Sequence, residues 1–137
     1  MQKKKMILIV EDEPLNRKIL TKFLSDAYEI LEAVDGMEAC RTLALRFAEL
    51  SAVLLDLKMP VMDGYAVLQK MHELKMDELP VIVITGSADE DSEQKALSAG
   101  AWDFITKPFN PKTLLTRLNN AIARSQLAAF ERLQYLS

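Results

Sequence analysis

Cysteine and histidine are almost missing from this chain, which has one of each, Cys40 and His72. A Cys/His zinc site and a disulfide framework both need several such residues, so neither can be built within one chain. Glycine is scarce too. The four glycines, Gly36, Gly64, Gly86 and Gly100, are scattered, and no glycine-rich loop exists to cradle phosphate with backbone amides. Hydrophobic residues make up 50% of the sequence, yet no apolar run approaches the roughly 18 residues of a membrane span. Nor is there a surplus of positive charge. The net charge of -3 and pI of about 5.2 have the wrong sign for a nucleic-acid-binding surface, so neither membrane nor nucleic acid is expected as a direct partner. The Lys3-Lys4-Lys5 run reads as a solvated N-terminal tail. A lone cysteine without a signal peptide fits a reducing, cytoplasmic location.

What remains has the pattern of one α/β domain. At 137 residues the chain is long enough to bury about two thirds of its unfolded surface, and no internal repeat or low-complexity stretch divides it. Strand-like runs occur at Met6 to Val10, Tyr28 to Ala33, Ala52 to Leu55, Val81 to Ile84 and Phe104 to Thr106. Between them lie helical periods. Leu15, Ile19, Leu20, Phe23 and Leu24 form one apolar face, Met37, Cys40, Leu43, Ala44 and Phe47 another, and Val67, Leu68, Met71 and Leu74 a third. Strand and helix alternate five times, which predicts a doubly wound parallel sheet with helices on both faces.

Four of the runs end on polar groups suited to phosphate or metal chemistry: Glu11-Asp12, Asp56, Thr85 and Lys107. In parallel strands of one sheet, all five groups emerge at the carboxyl edge, where open α/β folds place their ligand sites. Three carboxylates would then crowd together, and two charges about 4 Å apart repel by roughly 4 kcal/mol at an effective dielectric near 20. A cation is required. Hard oxygen donors without nitrogen or sulfur favour Mg2+, which keeps waters and bridges to phosphate oxygens. Lys107 can neutralise a further anion, and the Thr85 hydroxyl can donate to a phosphoryl oxygen. The site therefore reads as one that receives a phosphoryl group on Asp56.

With these residues the chain resembles the receiver domain of two-component response regulators. The segments that carry the resemblance are Ile7-Leu8-Ile9-Val10-Glu11-Asp12-Glu13-Pro14, Leu54-Leu55-Asp56-Leu57-Lys58-Met59-Pro60-Val61-Met62-Asp63-Gly64, Pro80 to Thr85, and Ala99 to Phe109. They stand in order and well spaced over roughly residues 5 to 124. The resemblance implies a flavodoxin-like strand order 2-1-3-4-5 with five helices, Asp56 as phosphoacceptor, and Asp12 as a direct Mg2+ ligand. It further implies that Glu11 acts on the metal through water, with the Lys58 backbone carbonyl completing the coordination. Thr85 and Lys107 would hold the phosphoryl oxygens, Phe104 would be the aromatic switch residue, and Lys107-Pro108 would be joined by a cis peptide bond. The partner implied is a histidine kinase or phosphotransfer protein, and the domain would not be an enzyme beyond its own phosphorylation and slow dephosphorylation. Glu11 departs from the family, which more often has Asp there.

Two other classes compete. A pseudo-receiver would keep the fold without phosphotransfer, but every expected site residue type is present. A haloacid-dehalogenase-like phosphatase would need a second Asp two residues after the nucleophile, where this chain has Lys58.

The rest of the chain gives smaller expectations. Cys40 reads as core packing, and His72 as a surface histidine whose local partners belong to its own helix. Trp102 either caps the core or anchors a partner protein, and Asp63-Gly64 caps the third helix. Asp89 to Ala99 is a lightly anchored helix, with Ala96, Leu97 and Ala99 as its apolar residues. Asn110 and Pro111 start a last helix running to Leu136, longer than the sheet it packs on. We therefore divide the chain into a receiver domain, 1–124, and a helical extension, 125–137. Leu127, Phe130, Leu133 and Leu136 would be exposed in a monomer; they join a partner chain or a following output domain, or they form a frayed or folded-back tail. The partner reading favours a homodimer through the fourth helix, fifth strand and fifth helix. No output segment follows the matched pattern.

Overall fold

The computed structural model of the chain describes residues 3–86 and 90–136. Strands and helices alternate as β1 (Lys5–Val10), α1 (Pro14–Leu24), β2 (Tyr28–Ala33), α2 (Gly36–Arg46), β3 (Leu50–Leu55), α3 (Gly64–Glu73), β4 (Val81–Thr85), α4 (Glu90–Ser98), β5 (Asp103–Thr106) and α5 (Pro111–Leu136), with a 3-10 turn at Phe47–Glu49 before β3. All pairings are parallel, in the order β2-β1-β3-β4-β5.

Alternation along the strands decides which helix meets which face. Leu8, Val10, Val53, Leu55, Val81 and Val83 pack with residues of α2, α3 and α4, while Ile7, Ile9, Ala52, Leu54, Ile82 and Ile84 pack with α1 and α5. Each of the Val, Leu and Ile side chains, fully buried, stabilises the fold by about 1.5–3 kcal/mol. The sheet is apolar on both faces because both are covered.

Several helix faces differ from the expected ones. On α1 only Leu20 and Leu24 are buried, while Leu15, Ile19 and Phe23 point outward with Leu15 68% exposed. On α2 the buried residues are Gly36, Ala39 and Leu43, with Cys40 half-buried and Met37 exposed. Ala44 is exposed too, and Phe47 has left α2 for the 3-10 turn. Leu74 lies past the end of α3, and only Val67, Leu68 and Met71 of the expected third face are buried. The cause is common to all three: a helix on one side of a sheet buries a stripe narrower than its apolar content, and the sequence cannot say which of two apolar stripes faces inward.

The caps behave as their chemistry requires. Asp35 and Asp63 accept from Glu38 N and Ala66 N at 2.8 and 2.9 Å, and Asn110 accepts from Lys112 N at 2.8 Å ahead of α5. Of the expected Asp89 to Ala99 helix, Asp89 lies outside the described residues and α4 is observed from Glu90 to Ser98. Ala96 is buried and Leu97 sits at the surface. The lysine run is not wholly a tail, because Lys5 opens β1 and the Lys4 ammonium donates to Ser25 O at 2.9 Å.

α5 holds the sheet through Leu114, Leu118, Ala121 and Ile122 and then runs on. It stays in contact with the body further than expected: Ser125 Oγ donates to Glu78 O at 2.8 Å, and Arg132 pairs with the Glu78 carboxylate. On one flank Arg117 pairs with Asp103 at 2.9 Å and the Arg124 guanidinium lies over Trp102. On the other, Asn119 meets the Tyr28 hydroxyl and Gln126 accepts from Lys5. Phe130 and Leu133, four and seven residues beyond Gln126, share its flank. Leu127, Phe130, Leu133 and Leu136 are all exposed in the last turns.

Candidate phosphoacceptor and metal site

Strand order reverses around β1, and the crevice beyond the carboxyl ends of β1 and β3 is where such sheets bind ligands. Backbone ladders carry the site residues into it. Glu11 N donates to Ala33 O at 3.1 Å, Asp56 N to Val10 O at 3.1 Å and Lys107 N to Thr85 O at 2.8 Å. Each residue thus continues the hydrogen bonding of its strand for one step, then turns its side chain to the edge.

Glu11, Asp12 and Asp56 each offer a carboxylate oxygen, all within 4.8 Å of one another. Glu11 is 1% exposed and Asp56 8%, so water screens their repulsion poorly. Lys107 answers part of it. Its Nζ lies 2.9 Å from Glu11 Oε1 and 3.5 Å from Asp56 Oδ2. Burial alone would lower the Lys107 pKa, but the Glu11 hydrogen bond and the Asp56 and Glu11 charges outweigh it and raise it above the ordinary lysine value. Asp12 is raised above its ordinary value, first by burial and then by a hydrogen bond with Glu11. Three carboxylates against one ammonium leave the group two negative charges in excess.

That excess suits a divalent cation. A divalent cation among these three carboxylates would offset it and would draw together oxygens that now lie within 4.8 Å of one another. The donors are all hard oxygens, which matches the same ion. Further out, Lys58 N donates to Asp56 Oδ1 at 3.1 Å, Thr85 is fully buried at the end of β4, and Phe104 is packed in the core beside α4. The Lys107-Pro108 bond is cis.

Gly64 keeps the loop after Asp56 tight: a Cβ there would stand 2.5 Å from Asp56 O and 2.8 Å from Leu57 Cα. Two other contributors were not foreseen. Arg17 Nη1 donates to Glu11 O at 2.9 Å and to Asp12 O at 3.5 Å, pinning the acidic turn from α1; a cation one helical turn after paired acids was the available signal. Val61, on the loop after Asp56, has φ 69° and is 85% exposed. A β-branched residue in that region is strained, and no sequence pattern announces it.

The smaller expectations fare unevenly. Cys40 packs against Met62, Sγ to Sδ 3.9 Å, and burial pushes its thiol pKa up, as core packing requires. His72 is at the surface, its side chain 75% exposed, but its partner lies beyond its own helix. The chain turns at Lys75 with φ 60° and brings Asp77 Oδ1 to 2.8 Å from His72 Nδ1, so its pKa is raised by that hydrogen bond and charge. Trp102 is half-buried and its Nε1 donates to Asp77 O at 3.2 Å.

The response regulator receiver domain family matches residues 7–119. The chain belongs to that family. Among similar proteins, a probable transcriptional regulator, ycf27, of Cyanophora paradoxa is 38% identical over 124 residues, covering 90% of this chain and 50% of the relative. The transcriptional regulatory protein SrrA of Staphylococcus aureus is 36% identical over 126 residues, covering 91% and 51%. The chain thus spans about half the length of the curated relatives it matches. A receiver domain protein from Clostridium thermocellum superposes with TM-score 0.84 at 29% identity, over 90% of this chain and 98% of that one. A CheY-like receiver domain protein from Methanospirillum hungatei JF-1 gives 0.84 at 29%, over 92% and 99%. This receiver domain has no described helix long and apolar enough to cross a membrane.

Proposed function

We propose that Asp56 accepts a phosphoryl group from a histidine kinase or phosphotransfer protein in a Mg2+-dependent reaction, and that the acylphosphate changes how the domain meets an output partner. The observation that carries this reading is the juxtaposition of Asp56 with one lysine and two further carboxylates at the switch point of the sheet. An Asp56 carboxylate oxygen forms the new O–P bond as the bond from phosphorus to the donor breaks, and the donor keeps the electron pair. Asp12, Asp56, Glu11 and the Lys58 carbonyl hold the cation, which when bound supplies charge neutralisation to the transferring group. Lys107 and Thr85 take the phosphoryl oxygens. Thr85 drawn toward the phosphoryl group keeps Phe104 in its buried position, the inward member of a pre-existing pair of states.

The uncovered stripe Leu15, Ile19 and Phe23 on α1 starts beside the acidic turn and suits a helical phosphodonor as its docking partner. The α4, β5 and α5 face is our candidate for a homodimer, and the segment 125–137 for the link to an output domain. The relatives' printed roles in transcription make a DNA-binding output the preferred one. Intact mass after incubation with acetyl phosphate and Mg2+ tests the assignment. One phosphoryl adduct is expected on the wild-type chain and none on Asp56→Asn; an undiminished adduct in the variant moves the acceptor elsewhere. Continuous release of phosphate from a phosphomonoester would favour the phosphatase class.

A further inference from the structure

Lys107 stands closer to Glu11 than to the residue it is meant to serve, at 2.9 Å against 3.5 Å from Asp56. Nothing about this contact is loose. The Glu11 carboxylate is almost fully buried, and its second oxygen, Oε2, already accepts from Glu13 N at 3.2 Å. Its backbone is tied at both ends, N to Ala33 O and O to Arg17 Nη1. The Lys107 backbone is tied to Thr85 O, so only the flexible lysine stem adjusts. Glutamate reaches across where aspartate would fall short by about one C–C bond, roughly 1.5 Å.

We infer that Glu11 is a positioning residue that holds the Lys107 ammonium in reserve, and that a divalent cation entering the carboxylate cluster frees it toward Asp56 by claiming Glu11. This rests on the phosphoacceptor reading above. Both oxygens of Glu11 are engaged in the resting state, by Lys107 and by Glu13 N. A cation that draws on Glu11, directly or through water, weakens its hold on the lysine. Cation and lysine therefore compete for one buried carboxylate, and the competition orders events: the ammonium, shared between Glu11 at 2.9 Å and Asp56 at 3.5 Å in the unloaded site, closes on Asp56 when the cation claims Glu11. Closer pairing of Lys107 with Asp56 before that would mask the attacking oxygens, and Glu11 limits it.

A double-substitution cycle tests this with Mg2+ itself as the probe. Mg2+ affinity is measured by calorimetry for the wild type, Glu11→Asp, Lys107→Met and the double variant, with circular dichroism confirming the fold of each. Glu11→Asp is expected to tighten Mg2+ about fivefold or more in the presence of Lys107, the low end of measured couplings between sites, and to change little once Lys107 is removed. Nitrogen-15 NMR of the Lys107 ammonium gives a second reading, in which Mg2+ shifts the resonance in the wild type but not in Glu11→Asp. An equal effect of Glu11→Asp with and without Lys107, or an ammonium resonance indifferent to Mg2+, overturns the inference. The two readings fail separately: a wild-type chain that gains its phosphoryl adduct without coupling loses only this role for Glu11, and one that shows coupling without an adduct loses only the phosphoacceptor assignment.

Discussion

α3 and α4 lie on the same face of the sheet and have nearly the same length, yet they are held very differently. α3 has an Asp63 cap and buries Gly64, Val67, Leu68 and Met71. Among the described side chains of α4, Ala96 is the buried one and Leu97 sits at the surface, and the Lys95 ammonium lies 4.3 Å from the Tyr65 ring. The contrast follows the site. α3 begins eight residues after Asp56 and fixes the loop that presents it, so movement there would spoil the geometry. α4 follows β4, which ends on Thr85, and precedes β5, which carries Phe104, and a signal leaving the site needs an element that costs little to move.

The largest expected effect that breaks this contrast is Met71→Ala, which should cost about 2–5 kcal/mol in chemical denaturation. Leu97→Ala should stay within about 0.5 kcal/mol; comparable losses at the two positions would mean that α4 is anchored as firmly as α3. Next, Asp63→Ala should cost about 1 kcal/mol through the lost cap and also slow phosphorylation of Asp56, since the same turn positions the acceptor loop. Amide exchange sharpens the comparison. Residues 91–98 should exchange faster than 65–73 in the resting protein, and phosphorylation should alter the first set alone; in Thr85→Ala that response should be lost while the adduct still forms.

The smallest effect concerns the site itself. Burial and the Glu11 hydrogen bond raise the Asp12 pKa, so the folded chain prefers Asp12 protonated. The resulting penalty is present above the raised folded pKa and is gone below the unfolded value near 3.8. Asp12→Asn should therefore melt slightly higher than the wild type at pH 7 in the presence of a chelator. Its advantage should shrink as pH falls toward 4 and reverse when Mg2+ is added. A variant that melts lower than the wild type without metal would show that the site is not short of positive charge.

The sheet and the placement of the site residues are legible because each depends on local pattern. Five apolar runs, four of them ending on polar groups, are enough to place Glu11, Asp12, Asp56, Thr85 and Lys107 at one edge. What was hidden depends on distance along the chain or on tertiary choice. The Lys107 bond to Glu11 spans 96 positions, and neither residue signals that it prefers the other. α1 carries two apolar stripes, and periodicity alone could not tell that Leu20 and Leu24 turn inward while Leu15, Ile19 and Phe23 turn out. Asp77 reaches His72 only because Lys75 adopts a positive φ, a backbone choice that composition does not announce.

The central position of β1 has a consequence for biosynthesis. This strand is made first, but its neighbours are β2 and β3, and the acids at its end face Asp56 and Lys107, which leave the ribosome much later. At about 5–20 residues per second, several seconds separate the synthesis of Glu11 from that of Lys107. Throughout that interval the nascent chain carries two acids without their counter-charge and an acceptor aspartate without its lysine. If Asp56 is the acceptor we propose, a kinase meeting a half-made chain would find no competent target, and a phosphoryl mark would report a finished fold as well as a stimulus.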